Sequence, residues 1–555
     1  MGKITDIIHK NKVSLLFMAL LGLLMLIITY ELVSIQSQIG VAYWDIFLYL
    51  NNALKMAGMG IGDTLHLSPF LPFLTSLLFR AGYVFELSLF MISGVFYILG
   101  AVGMYLLLKI RFNEYESLAG AISYATFTIL MAWAVSGALD APAISLSIWA
   151  LYFTYLAVKN DSRYYYVAFP VAMLAFLTRY TSGLIIIPML LLIFFNLPQK
   201  EEIKNGVKGI ILGVLIYLPF MWYFYRQIGK PFPFISQFSA SAAGTATELN
   251  PGYNLDLLYY LKNIPQYLSS PAPDNYSQLL WPSQQTPDLL AYVLLGLIIT
   301  GIIIYIIKIA LKTWKTLKTP QNYLKAAGVL VLGLLLIFTY GSISYVYSEV
   351  LLILWALSVF YLLRDYKLKY LDLDLMFLTW FFAFFIMHSF HPVKVDRYFI
   401  TMVPPLAYGV ALGIRQISSL IQTKFKNTTW ISPAISLVLV LALLLSAVSY
   451  MDNMPREDEV VLIEKETANW LTNYDPEFED RVIAAVRGPA YSWYLKKFVY
   501  TRIPGKVSPE VFQELFEEVN PDYYIYTGEG KLTLDGYTII RQRGNVTVYE
   551  KNSLN

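Results

Sequence analysis

Apolar runs of membrane-crossing length alternate with polar connections over the first 450 residues, and then the pattern stops. Counting a span as roughly 20 mainly apolar residues, with shorter ones admitted where helices pack among others, predicts about thirteen spans. They centre near residues 24, 97, 127, 150, 170, 189, 217, 298, 335, 356, 380, 407 and 440. From Met451 onward the chain is charged and turn-rich. There "EDEVVLIEKETANWLTNY" has helical periodicity, "RVIAAV" reads as a buried strand, "GPAYSWYLKK" as a short helix and "SPEVFQELFEEV" as a Ser-capped helix, while "DYYIYTG", "GYTIIRQ" and "NVTVYEK" read as strands. The fold expected is an all-α polytopic membrane protein, residues 1–450, followed by a small α/β domain, residues 451–555.

Lys and Arg collect on alternate connections, among them Lys109 and Arg111, Lys159 and Arg163, Lys200 to Lys208, Arg364 to Lys369 and Arg415 to Lys426, together with Lys3, Lys10 and Lys12. The longer segments between them hold few basic residues. This is the positive-inside pattern, and it predicts a cytoplasmic N-terminus, with residues 36–85, 227–286 and the C-terminal domain outside the cell membrane. The first apolar run, about Val13 to Ile35, is too long for a signal-peptide core and lacks a small-residue cleavage site, so it reads as a retained span. The N-terminal "MGKITD" does not fit a myristoylation signal.

Composition agrees and narrows the chemistry. The chain of 555 residues is 57% hydrophobic and 14% charged, with a mean hydropathy of +0.54. A net charge of +3 gives no reason to expect nucleic acid. With no cysteine, disulfides, zinc-thiolate sites, iron-sulfur clusters and thiol nucleophiles are excluded. No Gly-rich phosphate loop opens the C-terminal domain, and "GMGIG" at 58–62 has no strand before it. No internal repeat is evident.

Charged residues gather at the outer ends of predicted spans: Asp45 after the first, Asp140 in "SGALDAPAISL", Arg179 in "AFLTRYTSGL", and His388, His391, Lys394, Asp396 and Arg397 in "HSFHPVKVDRYFITMVPP". Each alone has an ordinary reading. A lone Asp or Arg at a helix end is a solvated boundary residue or a snorkelling side chain, Asp140-Ala-Pro is a helix start, and nearby Trp and Tyr form an interfacial belt. Together, two acids and several bases on one rim suit a reaction whose leaving group is a lipid-linked phosphate, with the bases neutralising developing charge and an acid taking a proton from an incoming hydroxyl. Such a site requires no metal, although two acids are able to hold one through oxygen.

In order along the chain, "WDIFLYLNNAL", "HLSPFLPFLTSLLF", "GALDAPAISLSIWALYF", "FLTRYTSGLIIIPMLLL" and "DRYFITMVPPLAYG" resemble the landmarks of the GT-C membrane glycosyltransferases that use polyprenyl-phosphate sugars, in the branch of the protein O-mannosyltransferases and lipid A aminoarabinose transferases. The resemblance implies Asp45 as catalytic base and Asp140 as the second catalytic acid. It implies Arg179, Arg397 and Tyr398, with Lys394 and His391, at the donor phosphate, and Trp44, Tyr49 and His66 as positioning residues. Relatives often carry a Lys and paired prolines where this chain has "LHLSPF", so His66 stands in for a different residue type. The implied partners are a polyprenyl- or dolichyl-phosphate sugar, mannose foremost, a protein, glycan or lipid acceptor, and membrane lipid, with no nucleic acid and no required cofactor. An oligosaccharyltransferase would carry "WWD" where this chain has only "YSWYLKK"; the outward sequons Asn275-Tyr-Ser and Asn545-Val-Thr imply at most that the protein itself could be glycosylated. Two alternatives from other classes are a transporter or flippase of a lipid-linked sugar, which calls for charges near mid-membrane, and a scaffold without chemistry. The loop beginning "KPFPFISQF" is expected either to form a lid or to pack against the C-terminal domain.

Overall fold

The computed structural model describes residues 12–235, 252–313, 320–366, 368–425 and 428–552. Twelve of the thirteen predicted centres fall on a helical segment, and the one near residue 127 falls on a break between two. Nine helices among the described residues are long and apolar enough to cross a membrane: Lys12–Ile39, Glu86–Lys109, Asp140–Lys159, Lys200–Ile228, Leu289–Thr313, Asn322–Thr339, Tyr345–Tyr366, Leu371–Phe390 and Ile431–Asp452. The other four are broken or less apolar, and three of the breaks have functional consequences below. One run divides at Phe127 into Glu114–Thr126 and Thr128–Trp133. The next pair, Tyr165–Thr178 and Tyr180–Phe195, meet at an extended Arg179. Val403–Lys424 is preceded by a 3₁₀ turn, Asp396–Met402, and carries Pro404 and Pro405 in its first turn, where a missing N–H costs nothing.

Small residues let the inner helices approach closely. A Cβ at Gly301 would run into the backbone of Gly413, which locks Leu289–Thr313 against Val403–Lys424 in the manner of membrane helix pairs. At the end of the bundle away from the C-terminal domain, Arg111 pairs with Asp374, and Tyr305 donates to the same carboxylate at 2.5 Å. Arg111 therefore serves as a staple between helices.

The C-terminal domain has the predicted elements. Strands β1 (Ile483–Ala485), β2 (Tyr500–Thr501), β3 (Tyr523–Thr527), β4 (Tyr537–Arg543) and β5 (Val546–Lys551) form one sheet in the order β2-β1-β3-β5-β4. The first three strands are parallel, and β5 pairs antiparallel with both β3 and β4. Ser508 caps Pro509–Val519 by accepting from the Val511 N–H, and Asp458 caps Glu459–Tyr474 in the same way.

This domain grips the membrane part at the helix that carries Asp45, Trp44–Ala57. Asn51 donates to the Pro489 carbonyl at 2.9 Å, Trp493 stacks on Phe79 at 5.8 Å between centroids, and Arg487 donates to the Ala42 carbonyl at 2.8 Å. Arg487 also pairs at 2.9 Å with the fully buried Glu464. Burial pushes the Glu464 carboxyl up to about 7, against the opposing pull of Arg487. An acid whose pKa is raised on folding binds more protons folded than unfolded, so its contribution to stability is lost as pH rises from its ordinary value of 4.5 to about 7. Protease resistance of the 452–458 connection is expected to fall from pH 5 to pH 8, with Glu464→Gln flattening that profile. A wild-type profile flat over the same range would contradict the assignment.

Candidate active site

Four helix ends converge on one cavity of about 560 Å³ at the end of the bundle covered by the C-terminal domain, and it is lined by Asp45, Tyr49, Asp140, Arg179, His391, Arg397 and Tyr398, among others. The local sequence explains why each arrives there. Tyr43 is extended and begins the Trp44–Ala57 helix, placing Asp45 in its first turn beside the helix's positive end. Gly137, at φ +90°, turns the chain into Asp140–Lys159; a Cβ there would meet Leu89 at 2.7 Å and Ile46 at 3.0 Å, so the turn is packed directly against the Asp45 helix. Asp140 does not cap its helix, as the ordinary reading of Asp-Ala-Pro had it; the cap is Leu139, without a side-chain bond. Its carboxylate instead meets Arg179, and Arg397 at 3.9 Å.

The charges form a chain. Arg397 pairs with Asp45 and Asp140, and Arg179 pairs with Asp140. Asp140 is 1% exposed at its side chain and Asp45 32%, so only Asp45 is open to an arriving molecule. Tyr398 lies beneath Arg179, with the guanidinium carbon 4.8 Å from the ring centre, and Tyr43 and Trp133 face Arg397 at 4.8 and 5.6 Å. Burial, and next the Arg397 charge, push Arg179 down to about 10, which leaves it cationic at neutral pH. Thr181 accepts from Arg179 Nε at 2.9 Å and fixes the fork.

Three sequence-derived assignments change. Lys394 is 1% exposed and its ammonium donates to the carbonyls of Ser389 and His391 at 2.5 and 2.6 Å. It closes the C-terminal end of Leu371–Phe390, where free carbonyls attract a cation, and does not line the cavity. His66 is exposed and off the cavity, whereas its neighbours Leu67 and Ser68 line it, held by Tyr180: its hydroxyl donates to the Leu67 carbonyl and its N–H to Ser68 Oγ, both at 3.3 Å. Trp44 also lies off the cavity; the extended residue before it, Tyr43, takes the place on Arg397. His391 does line it, but burial pushes its imidazole below the ordinary range, so it is a neutral hydrogen-bonding group, with Nδ1 within 2.8 Å of the Val393 carbonyl.

The long loop divides. Residues 236–251, the small polar half in which a lid was expected, lie outside the described residues. The aromatic half packs against the stretch that presents Arg397, and further along Tyr276 shares a buried cluster with Met451 and Met454 at the start of the C-terminal domain. Asp396, fully buried, accepts from Tyr259 at 2.7 Å, Tyr267 at 2.9 Å and the Ser283 N–H at 2.7 Å. Removing this carboxylate strands one buried and two half-buried donors. Asp396→Ala is expected to cost about 3 kcal/mol, read as a lower unfolding midpoint in detergent, with Asp396→Asn milder because an acceptor remains. Equal midpoints for wild type and Asp396→Ala would refute the anchor. Nothing local in the sequence marked Tyr43 or Trp133 as neighbours of Arg397, and Asp396, one of the charges singled out on this rim, carried no local sign of the distant donors it gathers.

Residues 66–224 match the model of the dolichyl-phosphate-mannose-protein mannosyltransferase family. The fold is similar to that of ArnT from Cupriavidus metallidurans, in the structure bound to undecaprenyl phosphate (12% identity, TM-score 0.56, covering 97% of this chain and 98% of that one) and in the apo state (12%, 0.58, 98% of each). An oligosaccharyltransferase of Archaeoglobus fulgidus aligns more loosely, at 15% identity and a TM-score of 0.47 over 91% of this chain and 68% of that one. No curated protein sequence matches the chain. This multi-pass membrane protein thus shares the fold of ArnT over nearly its whole length, and its match to the mannosyltransferase family covers residues 66–224.

Proposed function

We propose that the protein transfers a single sugar, mannose foremost, from a polyprenyl- or dolichyl-phosphate carrier to an acceptor hydroxyl on the outer face of the cell membrane. The observation that carries this is the convergence of Asp45, Asp140, Arg179 and Arg397 in one cavity. The matched mannosyltransferase segment favours mannose, and the undecaprenyl phosphate bound to ArnT favours a lipid-phosphate carrier.

The mechanism is a single inverting displacement. In the unliganded arrangement Arg397 is neutralised by Asp45. When the donor phosphate arrives, it competes for that guanidinium, and the exchange frees the one accessible carboxylate to accept the proton of the acceptor hydroxyl. The acceptor oxygen then bonds to the anomeric carbon as the carbon–oxygen bond to phosphate breaks. Polyprenyl phosphate departs with both electrons, against Arg397 and Arg179. Asp140, buried between the two guanidiniums, positions them and does not touch substrate. Lys394, committed to its helix end, takes no part.

Transfer is proposed to proceed without a resident metal. Each acid already faces a guanidinium, and no cluster of three or more His, Cys, Asp or Glu suited to a metal occurs among the described residues. The test is transfer of label from radiolabelled polyprenyl-phosphate mannose to a membrane extract by purified protein in lipid, with chelator in half the samples. Label should move equally in both halves. Loss of transfer on chelation would refute the metal-free mechanism. Donor binding without transfer from mannose, glucose or amino-sugar carriers would put the flippase alternative first.

A further inference from the structure

Across the 391–397 stretch from the charged cavity lies a second hollow, of about 330 Å³, that the proposed chemistry does not use. Its lining combines the rings of Trp281, Tyr253 and Tyr259 with the amides of Asn254, Asn263 and Gln284. The rings offer flat apolar faces with polar edges, and each amide offers both a donor and an acceptor. Most of that capacity is not taken up by the protein. Asn254 Oδ1 accepts the Asp256 N–H at 2.8 Å and Asn263 Nδ2 donates to the Tyr259 carbonyl at 2.9 Å. No described residue bonds the Gln284 amide, the indole N–H of Trp281 or the Tyr253 hydroxyl.

Charge is missing from this hollow in the sense that matters. Lys394 borders it, but its ammonium is committed to backbone carbonyls. The nearby Asp396 carboxylate is filled by three donors, one of them the Tyr259 hydroxyl. A phosphate or a carboxylate would therefore find no counter-charge, and an alkyl chain would leave the amides unmatched. A molecule with apolar ring faces, many hydroxyls and no charge satisfies both halves of the lining. The two hollows also share a wall: His391 and Arg397 line the charged one, Lys394 lines this one, and the backbones of Tyr253 and Val393 are bridged between them.

We infer that this hollow is an acceptor subsite for an uncharged oligosaccharide, holding sugar units beyond the one that receives the transferred residue. The assignment rests on the glycosyl-transfer reading and narrows its acceptor to a glycan.

The test is calorimetric titration of the full-length protein with mannotriose, maltotriose and chitotriose, and separately with a Ser/Thr-rich peptide, on wild type, Trp281→Ala, Gln284→Ala and Asp45→Asn. At least one trisaccharide should bind saturably. Trp281→Ala should weaken it by about tenfold through loss of the stacking face. Gln284 is exposed and its side chain bonds no described residue, so it can be truncated without disturbing the fold, and Gln284→Ala should weaken binding by about threefold. Polyprenyl-phosphate binding should be the same in both variants, and Asp45→Asn should bind the trisaccharide as wild type does. Absence of trisaccharide binding, equal binding by wild type and both hollow variants, or binding of the peptide in place of the sugars would overturn the subsite. Trisaccharide binding that depends on Trp281 and Gln284, in a protein whose Asp45→Asn variant still transfers sugar, would instead keep the subsite and refute Asp45 as base.

Discussion

Asp45→Asn is expected to lower the rate of sugar transfer by about 10² to 10⁴-fold while leaving polyprenyl-phosphate binding intact or tighter. The two halves of that expectation come from the same ion pair. Asn cannot take the acceptor proton, so the displacement loses its base. Asn also no longer neutralises Arg397, so the guanidinium faces the donor phosphate without a competing carboxylate. Asp45 is the open member of the charge chain, which makes its substitution the mildest for the fold and the most telling for the chemistry. Transfer rates and donor affinity measured side by side separate the roles: a scaffold predicts no change in either. Activity within about tenfold of wild type would refute general-base catalysis at this position.

The second large effect is expected at Arg397. Arg397→Lys keeps a positive charge but loses the planar fork that reaches both Asp45 and Asp140 and the flat face that lies over Tyr43. Loss of a donor aimed at developing negative charge typically costs about 10² to 10³ in rate, and a fall of that size in kcat/KM for the lipid-phosphate donor is expected here. Lys is a better choice than Ala, because Ala would leave Asp45 without its guanidinium and Asp140 with Arg179 alone, which would strain folding itself. Unchanged donor kinetics in Arg397→Lys would show that the phosphate sits elsewhere.

The charge chain also explains why the surroundings are built as they are. The guanidinium of Arg397 is held from one side by aromatic rings and from behind by the Asp396 hub, through which the aromatic loop supports the 391–399 stretch. On the other side the C-terminal domain holds the Asp45 helix through the Asn51–Pro489 bond, the chain just before it through Arg487, and the neighbouring helix Phe70–Arg80 through Trp493. Both carboxylate and guanidinium are thus anchored by elements distant in sequence, and the site's geometry depends on all of them remaining docked.

Hydropathy, periodicity and caps were sufficient to locate the membrane-length helices, the change of character near residue 450 and most elements of the C-terminal domain, because those signals depend on residues within a turn or two of one another; they missed the helices Trp44–Ala57 and Phe70–Arg80 inside the expected outer loop and the two-residue strand Tyr500–Thr501, which packing against distant elements holds in place. The order of short motifs pointed to the fold that the structure has, and it singled out Asp45, Asp140, Arg179 and Arg397, which the fold brings into one cavity. Which acid meets which base was decided only in three dimensions: Arg397 and Asp45 are 352 residues apart, and no local rule links them. The same holds for the residues that changed place. Lys394 had a nearer claim from the bare carbonyls of its own helix end, His66 was turned to solvent while its neighbours were pinned by Tyr180, and the extended backbone at Tyr43 brought that ring, and not Trp44, onto the guanidinium. A side chain's charge is written in the sequence, but its partner is chosen by the helix ends and breaks that tertiary packing brings within reach.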